Sequence, residues 1–120
     1  MSHEEKNIRI FHNPKCSKSR QTLQILHDRN TNPQIIEYLK TPPNESELEE
    51  ILKLLGMEPR DLMRKKEDIY KELKLDDTSL DRQNLIRAMI ENPKLIERPI
   101  VLSNNKATIG RPPENVIGLL

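Results

Sequence analysis

The only cysteine in this chain of 120 residues, Cys16, is the residue best suited by type and setting to do covalent chemistry. It lies in the polar segment His12-Asn-Pro-Lys-Cys-Ser-Lys-Ser-Arg20, where Lys15, Lys18 and Arg20 surround it along the chain. Positive charge favours the thiolate, which is the reactive form of cysteine. Because a buried structural cysteine seldom lies between two lysines in a polar loop, we interpret Cys16 as a functional thiol.

Two common cysteine motifs are excluded by counting positions. A tyrosine phosphatase loop needs Cys-x5-Arg, but the sixth residue after Cys16 is Thr22. A dithiol oxidoreductase needs Cys-x-x-Cys, but the third residue after Cys16 is Ser19. A single cysteine also excludes an internal disulfide and a Cys-rich zinc module, so a resolving thiol must come from another molecule.

The elements around Cys16 indicate where its thiol lies. Ile8-Arg-Ile-Phe11 is an apolar run typical of a strand, and Asn13-Pro14 ends it. Residues 17–29 contain neither Pro nor Gly and predict a helix that begins just after Cys16. Unpaired N–H groups and the dipole at the start of a helix favour a thiolate, and they would also bind an oxyanion beside the sulfur.

The rest of the chain predicts a second strand, a helical middle and a closing hairpin. Residues 34–39 form an apolar run between prolines and predict the strand. The clearest helix spans 44–55, where Asn44 can cap, Glu47 completes a capping box and Gly56 stops the helix. Further helices are predicted within 59–75 and over 81–91, strands over 100–103 and 106–109, and a closing helix from Pro113.

The order of these elements predicts the fold class. A βαβ unit, a helical segment and then ββα indicate an α/β protein with a mixed sheet and a thioredoxin-like fold. A length of 120 residues fits one domain, with a helical segment at about 43–95 inserted in it. The turn Asn104-Asn105 would join the last two strands, because asparagine tolerates the positive φ that a tight turn needs.

Composition and charge exclude several classes of partner. The net charge is +1 and both signs are scattered along the chain, which argues against general binding to nucleic acid or anionic lipid. No apolar run approaches the ~20 residues of a membrane span, and the polar, acidic start over 1–7 is unlike a targeting segment. We therefore expect a cytoplasmic protein without membrane contact, and no metal site is predicted.

Four segments, in order along the chain, carry a resemblance to a known family. They are Phe11-His-Asn-Pro-Lys-Cys16, Leu62-Met-Arg64, Arg98-Pro-Ile-Val101 and Gly110-Arg-Pro112. Each segment is weak alone, but the four together at this spacing are specific and extend over essentially the whole chain. The chain resembles the glutaredoxin-coupled arsenate reductase (ArsC) family, and within it the YfgD-like branch.

The resemblance implies an activity and the residues that perform it. The activity would be reduction of arsenate to arsenite, with no bound cofactor, glutathione as co-substrate and glutaredoxin as a partner. Cys16 would be the nucleophile, and His12 would help to keep it ionised. The residues around the bound oxyanion would be Arg64, Arg98 and Arg111. The supporting residues would be Asn13, Ser17, Ser19, Arg20 and Pro99, with a cis bond between Arg98 and Pro99.

The loop departs from the best-characterised arsenate reductases beside the cysteine. Ser17 stands where they carry glycine, and Lys15 and Lys18 replace smaller residues, so the shape of the anion site and the substrate stay open. One alternative is another glutathione-dependent thiol reductase of the same fold. A second is a non-catalytic redox-sensing adaptor that binds a protein partner through the helical middle. A redox switch of the Spx type would need Cys-x-x-Cys, and Ser19 counts against it.

Overall fold

The strand ahead of the cysteine loop lies inside a four-stranded mixed sheet. In the computed structural model, which describes residues 7–120, this strand is β1 (Ile8–Phe11), and the helix after the loop is α1 (Ser17–Asp28). The chain returns to β2 (Gln34–Ile36), which pairs with β1 in parallel. A parallel pair needs a crossover connection, and α1 provides it.

An antiparallel hairpin completes the sheet. β3 (Ile100–Ser103) pairs with the other edge of β1, and β4 (Lys106–Ile109) pairs with β3, so the strand order is β2-β1-β3-β4. Asn104, in the turn between β3 and β4, has a φ of 55°, a conformation that asparagine adopts more readily than most residues. A 3-10 helix over Pro113–Leu119 follows the hairpin.

The chain divides into two units. One comprises the residues up to Glu37 together with Arg98–Leu120, and it holds the whole sheet, α1 and the last 3-10 helix. We call it the sheet unit. The other, Tyr38–Glu97, holds the remaining helices, and we call it the helical unit. The expectation of a single domain with an inserted segment at 43–95 stays a prediction.

The core of the sheet unit is aliphatic. Alternate residues of a strand face the same side, and Ile8 and Ile10 of β1 are buried in one cluster with Leu26 of α1, Val101 of β3 and Val116 of the last 3-10 helix. Full burial of one such side chain stabilises a fold by about 1.5–3 kcal/mol. This cluster holds α1 against the sheet and so fixes both ends of the loop that carries the cysteine.

The helical unit is built around two helices that contact each other. Its elements are α2 (Glu45–Leu55), a 3-10 helix (Pro59–Leu62), α3 (Asp68–Glu72), α4 (Arg82–Glu91) and a second 3-10 helix (Pro93–Leu95). α2 and α4 are packed together, and α4 also contacts both 3-10 helices. The apolar face of α2 that is buried consists of Leu48, Ile51 and Leu52.

The capping predicted for α2 is confirmed. Asn44 Oδ1 accepts a hydrogen bond from Glu47 N–H at 2.8 Å, and Glu47 Oε1 accepts one from Asn44 N–H at 3.2 Å. Gly56 ends the helix with a φ of 66°, in the left-handed region that favours glycine. These local signals explain why the boundaries of α2 follow its sequence.

The predicted thioredoxin-like topology is confirmed, and two element predictions need correction. The strand predicted over 34–39 ends at Ile36, because the chain turns over 38–40 ahead of Pro42-Pro43. The closing helix forms as a 3-10 helix from Pro113, because its backbone hydrogen bonds span three residues, as from Asn115 N–H to Pro112 O at 3.0 Å.

Three further expectations concern the backbone and the membrane. The bond between Arg98 and Pro99 is cis, as the resemblance implied, and the bond between Arg111 and Pro112 is cis as well. Within residues 7–120, no helix combines the length and the apolar character that crossing a bilayer requires. The interpretation of the polar start concerns 1–7, of which 1–6 lie outside the described residues.

Candidate active site

Cys16 is the residue at which the loop after β1 becomes α1. It is the N-cap of α1, with φ −95° and ψ 123°, and it is partly exposed. Its N–H donates to Asn13 O at 3.0 Å, and its carbonyl oxygen accepts from Arg20 N–H at 3.0 Å. The first bond closes a tight turn and the second begins the helix, so the thiol is held at a helix N-terminus.

The surroundings of Cys16 lower the pKa of its thiol below the usual value. Partial burial is the largest influence and acts in the opposite direction, because it disfavours the charged thiolate. The lowering influences outweigh it: hydrogen bonds from Ser19 N–H, the Arg98 side chain and Lys18 N–H, and the positive charge of Arg111. Backbone donors of the first helical turn and two guanidinium groups therefore stabilise the thiolate together.

Arg98 and Arg111 meet at the sulfur. Arg111 Nη2 lies 3.4 Å from Cys16 Sγ, within hydrogen-bond range of sulfur, and Arg111 Nε donates to the backbone oxygen of Arg98 at 2.8 Å. The pairing of the sheet explains this convergence, because the end of β1, the start of β3 and the end of β4 lie side by side. Two arginines that are 13 positions apart thus reach one thiol.

Three buried polar side chains hold the loop from within. Asn13 N–H donates to Ser19 Oγ at 3.0 Å, and Asn13 Oδ1 accepts from Lys15 N–H at 3.0 Å. Ser19 Oγ lies 2.6 Å from His12 Nδ1. His12, Asn13 and Ser19 are all buried, so the network fixes the backbone on both sides of Cys16.

The ring of His12 is held in its neutral form at neutral pH. Burial is the main cause of its lowered pKa, and the positive charge of Arg20 lowers the pKa further, while Glu37 raises it. The ring therefore adds little positive charge beside Cys16. In the neutral form with its proton on Nε2, His12 accepts the hydroxyl hydrogen of Ser19 at Nδ1.

The other supporting residues predicted from the sequence lie in the loop or at the start of β3. Arg20 is exposed, and its Nη1 donates to Pro14 O at 2.9 Å, which ties the first turn of α1 back to the loop. Ser17 is the first residue of α1 and is exposed. Pro99 is buried and follows Arg98 through the cis bond.

Arg64 belongs to the helical unit. Its N–H donates to Leu95 O at 2.7 Å, which links the segment after the first 3-10 helix to the second one. Its side-chain atom Nη1 is buried and has no hydrogen-bond acceptor among the described residues. A buried guanidinium nitrogen without a hydrogen-bond acceptor is rare in folded proteins.

Two residues at the site carried no chemical signal in the sequence. Thr22 of α1 is fully buried, and its Oγ1 donates to Lys18 O at 2.8 Å and lies 3.5 Å from Gly110 O. Gly110 N–H donates to Pro99 O at 2.9 Å. Neither residue has an ionisable group in its side chain, so the only signal in the sequence was the place of Gly110 in the segment Gly110-Arg-Pro112.

The arrangement can bind and attack a small oxyanion. It presents a thiolate at a helix N-terminus with guanidinium donors beside it, and such donors match tetrahedral oxyanions. Among residues 7–120, the structure contains no group of three or more His, Cys, Asp or Glu side chains that could hold a metal ion. The fold and the site together define a thioredoxin-like protein with a single cysteine, whose thiol has a lowered pKa.

Comparison with known proteins identifies the family within this class. The model of the ArsC family matches residues 11–118. The chain is 53% identical over 116 residues to a protein named YfgD from Escherichia coli (strain K12), which covers 96% of this chain and 98% of YfgD. It is 51% identical over 114 residues to a protein named arsenate reductase from Neisseria meningitidis (strain Z2491), covering 94% of this chain and 97% of the relative.

A solved structure agrees with these relatives. The structure described as arsenate reductase from Vibrio cholerae superposes with a TM-score of 0.94 at 50% identity, covering 98% of this chain and all of that one. This chain belongs to the ArsC family. The resemblance drawn from the four sequence segments is confirmed.

Proposed function

We propose that this protein reduces arsenate to arsenite, with Cys16 as the nucleophile and with glutathione and glutaredoxin as thiol donors. The observation that carries the proposal is the position of Arg111 Nη2, 3.4 Å from a Cys16 sulfur whose pKa is lowered. The relatives named arsenate reductase support the same choice of substrate.

The charges at the site suit this reaction. Arsenate is a negatively charged tetrahedral oxyanion, so attack by a thiolate brings like charges together. The guanidinium groups of Arg98 and Arg111 bring positive charge and present several donors in a fixed plane, which offsets the repulsion. The N–H groups of Lys18 and Ser19 act in the same direction, and they also stabilise charge that moves onto a leaving oxygen.

The proposed reaction balances over three steps. Cys16 Sγ first donates an electron pair to arsenic(V), so that an S–As bond forms while an arsenate hydroxyl takes a proton and leaves as water. A glutathione thiolate then attacks Cys16 Sγ, an S–S bond forms, and the S–As electron pair stays on arsenic, which departs as arsenite. A glutaredoxin thiol finally attacks the glutathione sulfur and releases the Cys16 thiolate. Two thiols are oxidised to one disulfide for each arsenic reduced.

The supporting residues act by shaping the loop. His12, Asn13 and Ser19 hold its backbone through the buried network, so His12 favours ionisation of Cys16 through the position of the loop. Arg20 keeps the first turn of α1 against the loop. Ser17, the exposed first residue of α1, is proposed to contribute to the shape of the anion site.

Pro99 and Arg64 complete the proposed set. Pro99, which is buried just ahead of β3, is proposed to hold the backbone from which the Arg98 side chain reaches the site. Arg64 is proposed as the third arginine of the oxyanion site on the strength of the family resemblance. Its buried Nη1, which lacks a protein acceptor among the described residues, supports this role.

The proposed donors and location follow from the thiol count. The chain has one cysteine, so the second and third sulfurs of the reaction belong to other molecules. A thiol that must cycle between thiolate and mixed disulfide needs a compartment in which donor thiols stay reduced. We therefore place the protein in the cytoplasm.

A coupled assay tests the proposal. Arsenate is added to the protein with glutathione, glutaredoxin, glutathione reductase and NADPH, and in parallel with thioredoxin, its reductase and NADPH. We expect arsenate-dependent NADPH oxidation with the first set and little with the second. Cys16→Ser should abolish turnover, and Arg64→Ala, Arg98→Ala and Arg111→Ala should each lower kcat by roughly 10²–10³-fold, as expected for loss of one charge-stabilising donor.

Arg29→Ala is the matched control for the arginine variants. Arg29 lies at the opposite end of α1 from Cys16, as the C-cap, so the same change of charge there should leave turnover unaltered. Absence of arsenate-dependent turnover with either donor set would reject the proposal.

A further inference from the structure

Gly110 lies where a side chain has no room. A Cβ at this position would lie 2.8 Å from Pro99 Cγ and 3.0 Å from Thr22 Cγ2, and closer still to Thr22 Oγ1. Carbon atoms in favourable contact are separated by about 3.5–4.0 Å. The backbone ahead of Arg111 can therefore approach α1 this closely only because residue 110 is glycine.

Space, and not backbone conformation, is what requires glycine here. The described glycine with a positive φ is Gly56, at the end of α2, and Gly110 is not in that region. Thr22 cannot easily give way, because it is fully buried, has a stiff β-branched side chain and keeps its hydroxyl on Lys18 O. An alanine at position 110 would thus move its own backbone.

The close approach bears on the position of Arg111. Gly110 is held on one side by its hydrogen bond to Pro99 O at 2.9 Å and on the other by its contact with Thr22. The next residue along the chain, Arg111, reaches Arg98 O with Nε and Cys16 Sγ with Nη2. The distance of residue 110 from α1 therefore determines how far the Arg111 guanidinium lies from the sulfur.

The geometry points to Gly110 as a positioning residue, which places the Arg111 guanidinium beside Cys16 by letting the end of β4 contact Thr22 of α1. It touches neither the thiol nor the substrate and acts only through Arg111. The inference rests on the proposed function for the identity of the substrate, but its main test uses the thiol alone.

The test is the rate of alkylation of Cys16 by iodoacetamide as a function of pH. Gly110→Ala should raise the midpoint of this titration, because the guanidinium that stabilises the thiolate is displaced. In the Arg111→Ala background, the same Gly110→Ala change should add no further shift. An unchanged midpoint in folded Gly110→Ala, or an equal shift with Arg111 absent, would overturn the inference.

Variants of Thr22 test whether Gly110→Ala acts through a steric clash with Thr22 or through another effect of the substitution. In Gly110→Ala/Thr22→Ala, both Thr22 atoms that oppose the new methyl group are gone and only Pro99 Cγ still opposes it, so the midpoint should return part of the way toward that of Thr22→Ala alone. Thr22→Val is the matched control, because it keeps the branched shape and removes only the hydroxyl. In Gly110→Ala/Thr22→Val, the midpoint of the titration should stay as high as in Gly110→Ala.

The same variants keep the test decisive if Gly110→Ala is too unstable to titrate. Recovery of a folded protein with a low midpoint by Thr22→Ala, and not by Thr22→Val, supports the inference, and failure of both double variants overturns it.

In the coupled assay, Gly110→Ala should lower kcat/KM for arsenate by roughly 10–100-fold, since a misplacement of about 1 Å can cost 10²-fold. If the titrations behave as expected while the unaltered protein shows no arsenate turnover, the proposed function fails and the positioning role stands.

Discussion

The reactivity of Cys16 depends on opposing influences of its neighbours. Partial burial raises the pKa of the thiol, and two backbone N–H donors and two arginines together outweigh it. Loss of one arginine leaves the Cys16 thiol just as buried. Each guanidinium therefore contributes to the low pKa of the thiol even where the arginine itself is exposed. Arg111 is exposed, yet its Nη2 contacts the sulfur directly.

We predict that Arg98→Ala and Arg111→Ala each raise the pKa of the Cys16 thiol. In the unaltered protein, the thiolate persists as pH falls below ~8.5, the ordinary cysteine value, and is lost only as pH falls through the lowered pKa. The variants should lose reactivity at a higher pH. The measurement is the alkylation rate across pH, with Arg29→Ala expected to match the unaltered protein.

Sulfate provides a second check on the same thiol. A bound oxyanion adds negative charge beside the sulfur, so sulfate should slow alkylation of the unaltered protein and have less effect on Arg98→Ala and Arg111→Ala. A common midpoint near ~8.5 in all three proteins, insensitive to sulfate, would contradict this account.

The sequence reveals part of this site. A lone cysteine among cations at a strand-to-helix junction identifies Cys16 without reference to any relative. Arg98 and Arg111 could be assigned only through the family resemblance, because the register that brings the ends of β1, β3 and β4 together is not visible in residue types. The neutral state of His12 depends on burial, and the role of Gly110 depends on a packing distance, so neither could be predicted.

At the scale of elements, the caps of α2 allow a stability prediction. Asn44→Ala removes the acceptor for Glu47 N–H and should lower the free energy of unfolding by ~1 kcal/mol. For a chain of this size, that corresponds to a fall in Tm of about 4 °C. Thermal unfolding measures it, and Glu50→Ala, at an exposed position of the same helix, is the control. Equal Tm values for the two variants would contradict a capping role.

Elements with local signals are predicted better than elements defined by pairing. The bounds of α2 follow from Asn44 and Gly56, the cap residues that flank the helix directly in the sequence. The end of β2 depends on β1, which pairs only as far as Phe11 with Ile36, and no pattern within 34–39 reveals where its partner stops. The 3-10 form of the closing helix likewise depends on backbone geometry that residue types do not determine.

At the scale of the whole molecule, one cysteine per chain prevents a complete cycle in isolation. We predict that the reduced protein mixed with arsenate alone releases no arsenite, because no second thiol is present to attack Cys16 Sγ. Glutathione added afterwards should release arsenite and leave a glutathionyl group on the protein. The measurement is arsenite in the filtrate with mass spectrometry of the chain.

Cys16→Ser is the control for that experiment, and it should give neither arsenite nor a mass increase. Stoichiometric arsenite from the protein without any added thiol would show that the chain supplies its own reductant, which contradicts the single-thiol scheme.

The strand order has a consequence for local unfolding. β1 is hydrogen-bonded along both edges, to β2 and to β3, whereas β2 and β4 each have one partner strand in the sheet. Fraying should begin at these outer strands, and the amide hydrogens of β1 should be among the slowest in the sheet to exchange with solvent. The loop that carries Cys16 thus follows directly on a strand of the sheet that is expected to open late.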